Sequence, residues 1–194
     1  MAMKLLKKFR LPLIVIAISL VGYIFLALKM GYPAITGTIV DDETGEPISG
    51  AIALCVWTVT GGLIERTHSV AHVSEGFSDA QGKIKIPGTW DIRVDPPELT
   101  IYQKGYVAWN NNKIFISRAE YINNPQIPFT RFDFNWRNGF IVRMKKWKDI
   151  YTFIEHESFI SKHALSQTMN FVGAYEWEKS YRIKERNSQH EAQH

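Results

Sequence analysis

The sequence predicts a mainly β protein, in which an antiparallel β-sandwich lies between an N-terminal transmembrane helix and a C-terminal helical segment. Three observations support this prediction. Residues 11–28 form an apolar run without a single charge. Between residues 35 and 146, short segments rich in β-branched residues alternate with turn formers, which is typical of antiparallel sheets. Beyond Trp147, aromatic residues recur at helical spacing.

The N-terminal apolar run reads LPLIVIAISLVGYIFLAL from Leu11 to Leu28. As an α-helix it would span about 27 Å, close to the thickness of the hydrocarbon core of a bilayer. Residues 1–10 carry four basic and no acidic side chains, which favours a cytoplasmic location for this arm. We therefore expect a signal anchor (11–28) and a tether (29–34) in the cell inner membrane, with the following domain on the periplasmic side.

A cleaved signal peptide is the alternative to an uncleaved anchor. Its apolar core would be only ~7–15 residues long and would precede a small-x-small cleavage site. The run here is longer, and bulky Phe25 and Tyr32 occupy position −3 of the sites that would end at Ala27 and Ala34. The sequence favours the anchor, so we expect the protein to remain in the membrane.

The basic character of the chain is local. The net charge is +4, and the four basic residues of the N-terminal arm account for all of it, so the remaining chain sums to zero. The folded part therefore lacks the basic surface that binds phosphate backbones, and no nucleic acid is expected as a partner. Hydrophobic residues make up 45% of the chain, enough for a core in one domain.

Alternation and turn residues predict seven strands and no helix between residues 35 and 145. After Trp147, a helical extension (147–194) is expected. Residues 171–184 form its amphipathic helix, with Glu178 intruding on the apolar face and spaced to pair with Arg182, and residues 187–194 are expected to fray. The predicted strands are 35–40, 51–60, 63–73, 82–86, 99–103, 131–136 and 139–144.

Three stretches of the sequence together are similar to a known family. The stretch Gly37–Ala51, reading GTIVDDETGEPISGA, resembles the opening of carboxypeptidase regulatory-like domains. Ser78–Ile86 (SDAQGKIKI) and Leu99–Tyr106 (LTIYQKGY) resemble two later strands of that family. The resemblance covers residues 35–106 and extends loosely to 145. It implies a transthyretin-like (prealbumin-like) sandwich and an accessory module that is not an enzyme.

The histidines do not form a recognisable catalytic or metal-binding pattern. His68 and His72 would point to one face of a strand but lie ~13 Å apart, too far to bind one ion. His156, in the triplet EHE, lacks the second histidine of a zinc-helix motif and is expected in a solvated polar segment. His163 and Ser161 do not form a triad by themselves. We therefore expect no metal site, no cofactor and no catalytic residue.

Two other reactive-looking features have simpler explanations. Cys55 is the only cysteine and lies in an apolar run, which predicts a buried hydrophobic residue rather than a reactive thiol. Asp41, Asp42, Glu43 and Glu46 cluster in one loop, but turn formation explains them better than a calcium site does.

Aromatic residues provide the candidate binding site. Core filling explains most of those between residues 102 and 151, but Trp109 next to Asn110, Asn111 and Asn112 is expected in an exposed loop, where a ring and amides suit a sugar or a polar peptide. On the C-terminal helix, Trp177 and Tyr181 offer a second surface.

These observations predict a membrane-anchored, non-catalytic module of the cell envelope that binds protein or glycan or has a structural role in an assembly. A small envelope hydrolase and an accessory subunit of a secretion or transport complex are the alternatives.

Overall fold

A computed structural model of the chain describes residues 15–23, 31–61, 67–164 and 168–191, with side chains up to residue 188. Strands dominate its first two thirds and helices its last third. The strands are β1 (Ile35–Asp41), β2 (Ile52–Gly61), β3 (Thr67–Phe77), β4 (Lys83–Ile86), β5 (Glu98–Tyr102), β6 (Trp109–Asn110) and β7 (Phe140–Met144). The helices are α1 (15–23), α2 (Arg118–Asn123), α3 (Phe153–His163) and α4 (Met169–Glu191).

The strands form two sheets, in the orders β4-β1-β7 and β3-β2-β5-β6. The mainly β prediction is therefore confirmed. Neighbouring strands are antiparallel with one exception, because β7 runs parallel to β1, with Gly37 opposite Phe140 and Asp41 opposite Met144. The expectation of a purely antiparallel sandwich was wrong at this pair. A long connection separates β1 from β7 in the sequence, and such a crossover is what parallel pairing requires.

Strand β2 is buried on both faces and so separates two layers of core. Cys55 and Trp57 point to one side and pack between the two sheets. Ile52, Leu54 and Val56 point to the other side and pack under α3 and α4. Because successive residues of a strand face opposite sides, the unbroken apolar run of β2 supplies both contacts. The molecule thus has three layers: sheet, sheet and helices.

The two C-terminal helices form a hairpin that packs on the sandwich. Ile160 of α3 and Phe171 of α4 are fully buried against the outer face of β2. Glu75 of β3 accepts a hydrogen bond from the Phe171 amide at the start of α4 (3.0 Å), and Glu185 of α4 accepts one from the Phe153 amide at the start of α3 (3.0 Å). Each contact satisfies an otherwise unpaired helix-terminal N–H. The helix extends to Glu191, which places 187–191 of the expected polar tail in α4, and residues 192–194 lie outside the described residues.

Two predicted elements differ between residues 107 and 138. Residues 131–136 alternate like a strand but do not join a sheet: Phe132 is 87% exposed, whereas Phe134 and Trp136 pack against the sandwich core. A short helix, α2, forms where none was expected. Its sequence signal is a capping box, in which Ser117 accepts from the Glu120 amide and the Glu120 carboxylate accepts from the Ser117 amide.

Strand β3 also lies further along the chain than expected. It occupies residues 67–77 rather than 63–73, and the first part of the predicted range, 63–66, lies outside the described residues. Its register follows β2, with Ile52 opposite Phe77 and Gly61 opposite Thr67.

Two turn glycines adopt the left-handed conformation that the turns need. Gly45, in the turn between β1 and β2, has a φ of 73°, and Gly105, after β5, has a φ of 84°. A side chain would strain either position.

Most of the expected N-terminal elements lie outside the described residues. The cytoplasmic arm (1–10), both ends of the expected anchor (11–28) and most of the tether (29–34) are in this group. Residues 15–23 are helical, and all nine side chains are exposed. In the described ranges, no helix combines the length and the apolar character needed to cross a membrane.

Candidate functional site

The constellation that most resembles catalytic machinery lies under the helical hairpin. His156 of α3 is fully buried, and its Nε2 accepts a hydrogen bond from the Ala108 amide (2.8 Å). Nδ1 must then carry the proton, which it donates to the Glu178 carboxylate of α4 (3.0 Å). Glu178 also accepts from the Tyr102 hydroxyl of β5 (2.8 Å). The prediction of a solvated segment around His156 was wrong.

This buried triad connects elements rather than presenting a reactive group. Both ring nitrogens of His156 are engaged, and Glu178 is only 1% exposed. Burial, and next the Glu178 carboxylate, raise the pKa of Tyr102 well above its usual value, so its hydroxyl remains a donor. The triad ties β5, α3 and α4 together, and it explains why an acid lies on the apolar face of α4.

The neighbouring ion pair also differs from the sequence prediction. Arg182 does not pair with Glu178, four residues earlier on the same helix, but with Glu157 of α3. Glu178 is unavailable because it faces inward to His156 and Tyr102. Tertiary packing therefore replaces the local pair with a second link between the two helices.

Trp109 is a core residue. It is 6% exposed, lies in β6 and packs edge-on against Phe134, with centroids 5.4 Å apart. The guanidinium of Arg131 lies over its ring, 4.7 Å from the centroid. The expectation of an exposed loop was wrong, because residues 109 and 110 pair with β5 and carry the indole between the sheets.

The asparagines next to Trp109 mostly serve the fold. Asn110 is fully buried, donates to Thr100 (3.0 Å) and accepts from the amides of Asn112 and Lys113. Asn111 accepts from the Leu99 amide (2.9 Å) and donates to a backbone carbonyl. These amides terminate β6 and start the next turn. The Asn112 side chain is exposed.

Trp177 and Tyr181 lie on one side of α4, as the sequence predicted, and both contact α3. Tyr181 is 45% exposed, and Trp177 is half-buried. Their rings are 5.4 Å apart and both pack on Phe153. Lys104 lies 4.7 Å above the Trp177 ring. Trp109 lies between the two sheets, whereas Trp177 and Tyr181 lie in the helical layer. The two predicted surfaces therefore do not form one site.

Other sequence candidates occupy separate places. His68 is exposed and contacts Thr60 Oγ1 (3.0 Å), and His72 packs against Trp57. Among the described residues, no group of three or more histidine, cysteine, aspartate or glutamate side chains could hold a metal ion. Cys55 is buried, as predicted, and burial raises its pKa well above the usual value.

The acidic turn after β1 is also structural. The Asp41 carboxylate accepts from the amides of Glu43 and Thr44 (both 2.9 Å) and from the Tyr106 hydroxyl (3.1 Å). Lys146 Nζ lies 3.2 Å from it. These contacts, the Thr44 amide most strongly, hold the pKa of Asp41 well below its usual value. Turn chemistry explains this acid, as the sequence suggested.

One surface depression runs along α3 and was not anticipated from sequence. This α3 groove has a volume of about 520 Å³. Apolar side chains form much of its wall, with two lysines, an acid and a histidine among them. It is lined by Lys113, Ile114, Phe115, Ile116, Phe129, Glu155, Ser158, Phe159, Lys162 and His163.

Hydrogen bonds and an acid–histidine contact position the residues that line the α3 groove. The Ile114 amide donates to the Phe129 carbonyl (2.9 Å), which fixes one wall. At one end Glu155 accepts from the Arg118 amide (3.0 Å). At the other end His163 lies 3.5 Å from Glu98, and burial is the main cause that raises the pKa of Glu98 and lowers that of His163. Both shifts favour neutral partners there.

An exposed apolar strip continues from the groove across α2. Phe129 is 50% exposed and packs on Tyr121, 45% exposed, with centroids 5.7 Å apart. Ile122 and Ile150 are 65% and 51% exposed and line a second depression of about 390 Å³. Glu155 lines both depressions, so the strip and the groove form one surface. Contiguous apolar surface of this kind marks interaction sites.

Sequence reasoning missed this surface because its residues come from three separate segments. Weak signals were present: the capping box of α2 fixes a short helix, and Tyr121 and Ile122 then lie on a helix too short to bury both sides. No protein-family model matches the chain, and no curated protein is significantly similar to it.

Proposed function

We propose that the chain is a membrane-anchored, non-catalytic module of the cell envelope, which uses the α3 groove and the adjoining strip to bind another envelope protein. The proposal rests mainly on the exposed apolar surface beside the groove, which is formed by Phe129, Tyr121, Ile122 and Ile150. It is exposed on a domain that already has a separate core. The partner would contribute an apolar segment to this surface.

The charge of the groove rim indicates the chemistry of that segment. Lys113 and Lys162 line the groove, and Arg118 lines the second depression. Glu155 is the acid that lines both, and it accepts hydrogen bonds from the Arg118 backbone amide and the Thr152 hydroxyl. Basic side chains outnumber acidic ones in the two linings, so the partner segment is expected to combine apolar side chains with acidic ones.

The proposed location rests on the N-terminal sequence. The uncharged run from Leu11 to Leu28 follows a basic arm, and the described part of the run is an apolar helix with every side chain exposed. A helix that is apolar on all sides is stable only when something apolar surrounds it. We infer a single-pass inner-membrane anchor that holds the sandwich on the periplasmic side.

We propose a non-catalytic role because the potentially reactive side chains are buried or already hydrogen-bonded. His156 and Glu178 are buried and committed to each other, to Tyr102 and to the Ala108 amide. Cys55 is buried between the sheets. The resemblance of residues 35–106 to carboxypeptidase regulatory-like domains supports the same conclusion, and with it a transthyretin-like arrangement of the sandwich.

Site-specific photocrosslinking in intact cells tests the binding surface. A photoreactive amino acid in place of Phe129 should give one discrete protein adduct. In place of Phe77, which is 57% exposed at the end of β3, it should not. The charge reversal Lys113→Glu with Lys162→Glu should abolish the adduct at position 129 without lowering the melting temperature.

Three results would contradict the proposed surface. Equal adducts from positions 129 and 77 would indicate nonspecific contact. An adduct that persists after the charge reversal would remove the acidic-segment argument. An adduct with glycan instead of protein would assign the surface to a different class of partner.

Membrane fractionation tests the location independently. The protein should stay in the membrane fraction after carbonate and high-salt washing, and its periplasmic domain should become protease-sensitive only after the outer barrier is opened. A soluble mature protein that begins after Ala27 or Ala34 would rule out the anchor.

A further inference from the structure

The loop between β4 and β5 exposes large apolar side chains on an ordered turn. Trp90 is 72% exposed and Ile92 is 56% exposed. The turn is fixed by Asp91, which accepts from the Arg93 amide (3.0 Å) and from its guanidinium (2.9 and 2.8 Å). The two apolar side chains are therefore presented by a defined structure, and the neighbouring charges neutralise each other.

This loop lies directly against the segment through which the chain reaches the domain. The Thr89 amide donates to the Tyr32 carbonyl (2.8 Å). A Cβ on Gly31 would lie 2.9 Å from the Trp90 Cα, so only glycine allows this close approach of the two backbones. Further on, the Trp136 indole donates to the Pro33 carbonyl (3.0 Å) and holds the same segment on the sandwich.

The sequence places this contact close to the membrane. Gly31 is the third residue after Leu28, the end of the apolar run, so it lies at most ~11 Å beyond the end of the run. The headgroup layer adds about 5–8 Å to each side of the hydrocarbon core. With the run 11–28 in the bilayer, the loop would lie at the depth of the headgroups or just above it.

We propose that residues 89–93 form a second membrane contact, in which Trp90 and Ile92 enter the headgroup layer beside the anchor. This inference rests on the anchor of the proposed function. Indole rings are enriched at this depth because the ring is apolar and its N–H can still bond to water or headgroups.

The proposed contact would restrict how the domain stands on the membrane. Strand β1 starts four residues after Gly31 and leads away from the loop, and β7 runs parallel to it. The turn that contains Asp41 and Thr44 is then at the far end of the sandwich, ~20 Å away by the strand rise. A tether alone would let the domain tilt freely, whereas two contacts fix one end toward the lipid.

Fluorescence quenching in vesicles tests the proposal on the full chain. Cys55 is buried, so a cysteine introduced at an exposed position is the only one expected to take an environment-sensitive label. The labelled variants are Ile92→Cys in the loop, Thr44→Cys at the far turn as matched control, and Ile18→Cys in α1. Each is reconstituted into phosphatidylcholine–phosphatidylglycerol vesicles that contain a headgroup-region or a deep-chain quencher.

The headgroup quencher should reduce the emission of the label at position 92 at least about twofold more than that of the label at position 44. The deep-chain quencher should act on position 18. Adding Trp90→Asp should remove the quenching at position 92, and adding Trp90→Phe should retain it, with no change in melting temperature because the side chain is exposed.

The outcomes separate this proposal from the anchor. Quenching at position 18 but equal, weak quenching at positions 92 and 44 overturns the loop contact and leaves the anchor intact. Quenching at neither 18 nor 92 overturns both. Quenching at position 92 that survives Trp90→Asp overturns the role of the indole.

Discussion

In the sheet β3-β2-β5-β6, strands β2 and β5 are buried on both faces, but the two faces are held in different ways. Its inner face meets the other sheet through aliphatic and aromatic side chains such as Ile101 and Trp57. Its outer face meets the helical hairpin through apolar side chains and also through the buried Tyr102–Glu178–His156 triad. Apolar packing is nondirectional, whereas a satisfied polar network fixes one orientation.

The polar contacts on the outer face determine how the helical extension is positioned. An apolar interface alone would let two helices slide or rotate on a sheet. The triad and the two helix-end contacts made by Glu75 and Glu185 require one register of α3, α4 and the sandwich. The α3 groove depends on that register, because α3 forms one of its walls.

The largest effect is expected on the inner face, from Trp109→Ala. Removing a buried indole from a core costs ~3–5 kcal/mol. The matched control is Trp90→Ala, in which an exposed indole is lost and stability should change by less than about 0.5 kcal/mol. Urea unfolding of a fragment that begins at Gly31 measures both. That fragment is expected to be soluble and rich in β-structure. A small effect of Trp109→Ala on the free energy of unfolding would contradict the buried position of Trp109.

The outer face should respond next most strongly, to His156→Ala. The change leaves the Ala108 amide and part of the Glu178 carboxylate unpaired and opens a cavity, at a cost of roughly 3 kcal/mol. His68→Ala, at an exposed position on β3, is the control and should cost little. If both variants unfold at the same urea concentration as the parent, the triad does not hold the hairpin.

A finer test of the same face is Tyr102→Phe. It removes one hydroxyl donor to Glu178 and should cost about 1–2 kcal/mol. Because Tyr102 and His156 share Glu178, the double variant should be non-additive by at least about 0.5 kcal/mol. As the comparison, the effects of Tyr102→Phe and Trp109→Ala should add, because Trp109 packs on the opposite face of the sheet. Strict additivity of Tyr102→Phe with His156→Ala would mean that the three groups do not act as one network.

The smallest effect is expected at the edge of the sandwich and depends on pH. The pKa of Asp41 is lowered in the folded state, so its ionised form stabilises the fold above the unfolded pKa of ~3.9 and this contribution is lost as the pH falls below it. Asp41→Asn should therefore lower the melting temperature at pH 7, and the gap to the parent should narrow on acidification toward pH 2.

Asp42→Asn is the matched control for this pH dependence, because Asp42 is the exposed neighbour in the same turn. It should change the melting temperature little at any pH. A gap between Asp41→Asn and the parent that stays constant down to pH 2 would show that the charge of Asp41 contributes nothing and that only its shape matters.

Much of the sandwich could be predicted from the sequence alone. Period-two alternation and Gly-bounded turns located six of the seven strands to within a few residues, because those signals are local. The apolar run around Cys55 predicted a buried strand, but its burial on both faces follows from the position of the helices. Phe171 and Tyr175 on one face of α4 were likewise visible as a helical stripe.

Three features became visible only in the folded chain: the parallel β1–β7 pair, the inward orientation of Trp109 and the triad around Glu178. Each joins residues far apart in the chain, and neither periodicity nor spacing carries information about which segments meet. Trp109 and Asn110 illustrate the reason. A ring beside amides suggests a binding loop in sequence, yet here pairing with β5 turns the indole into the core and the amides into turn supports. The α3 groove arises in the same way, because its walls come from three segments that only the packed hairpin brings together.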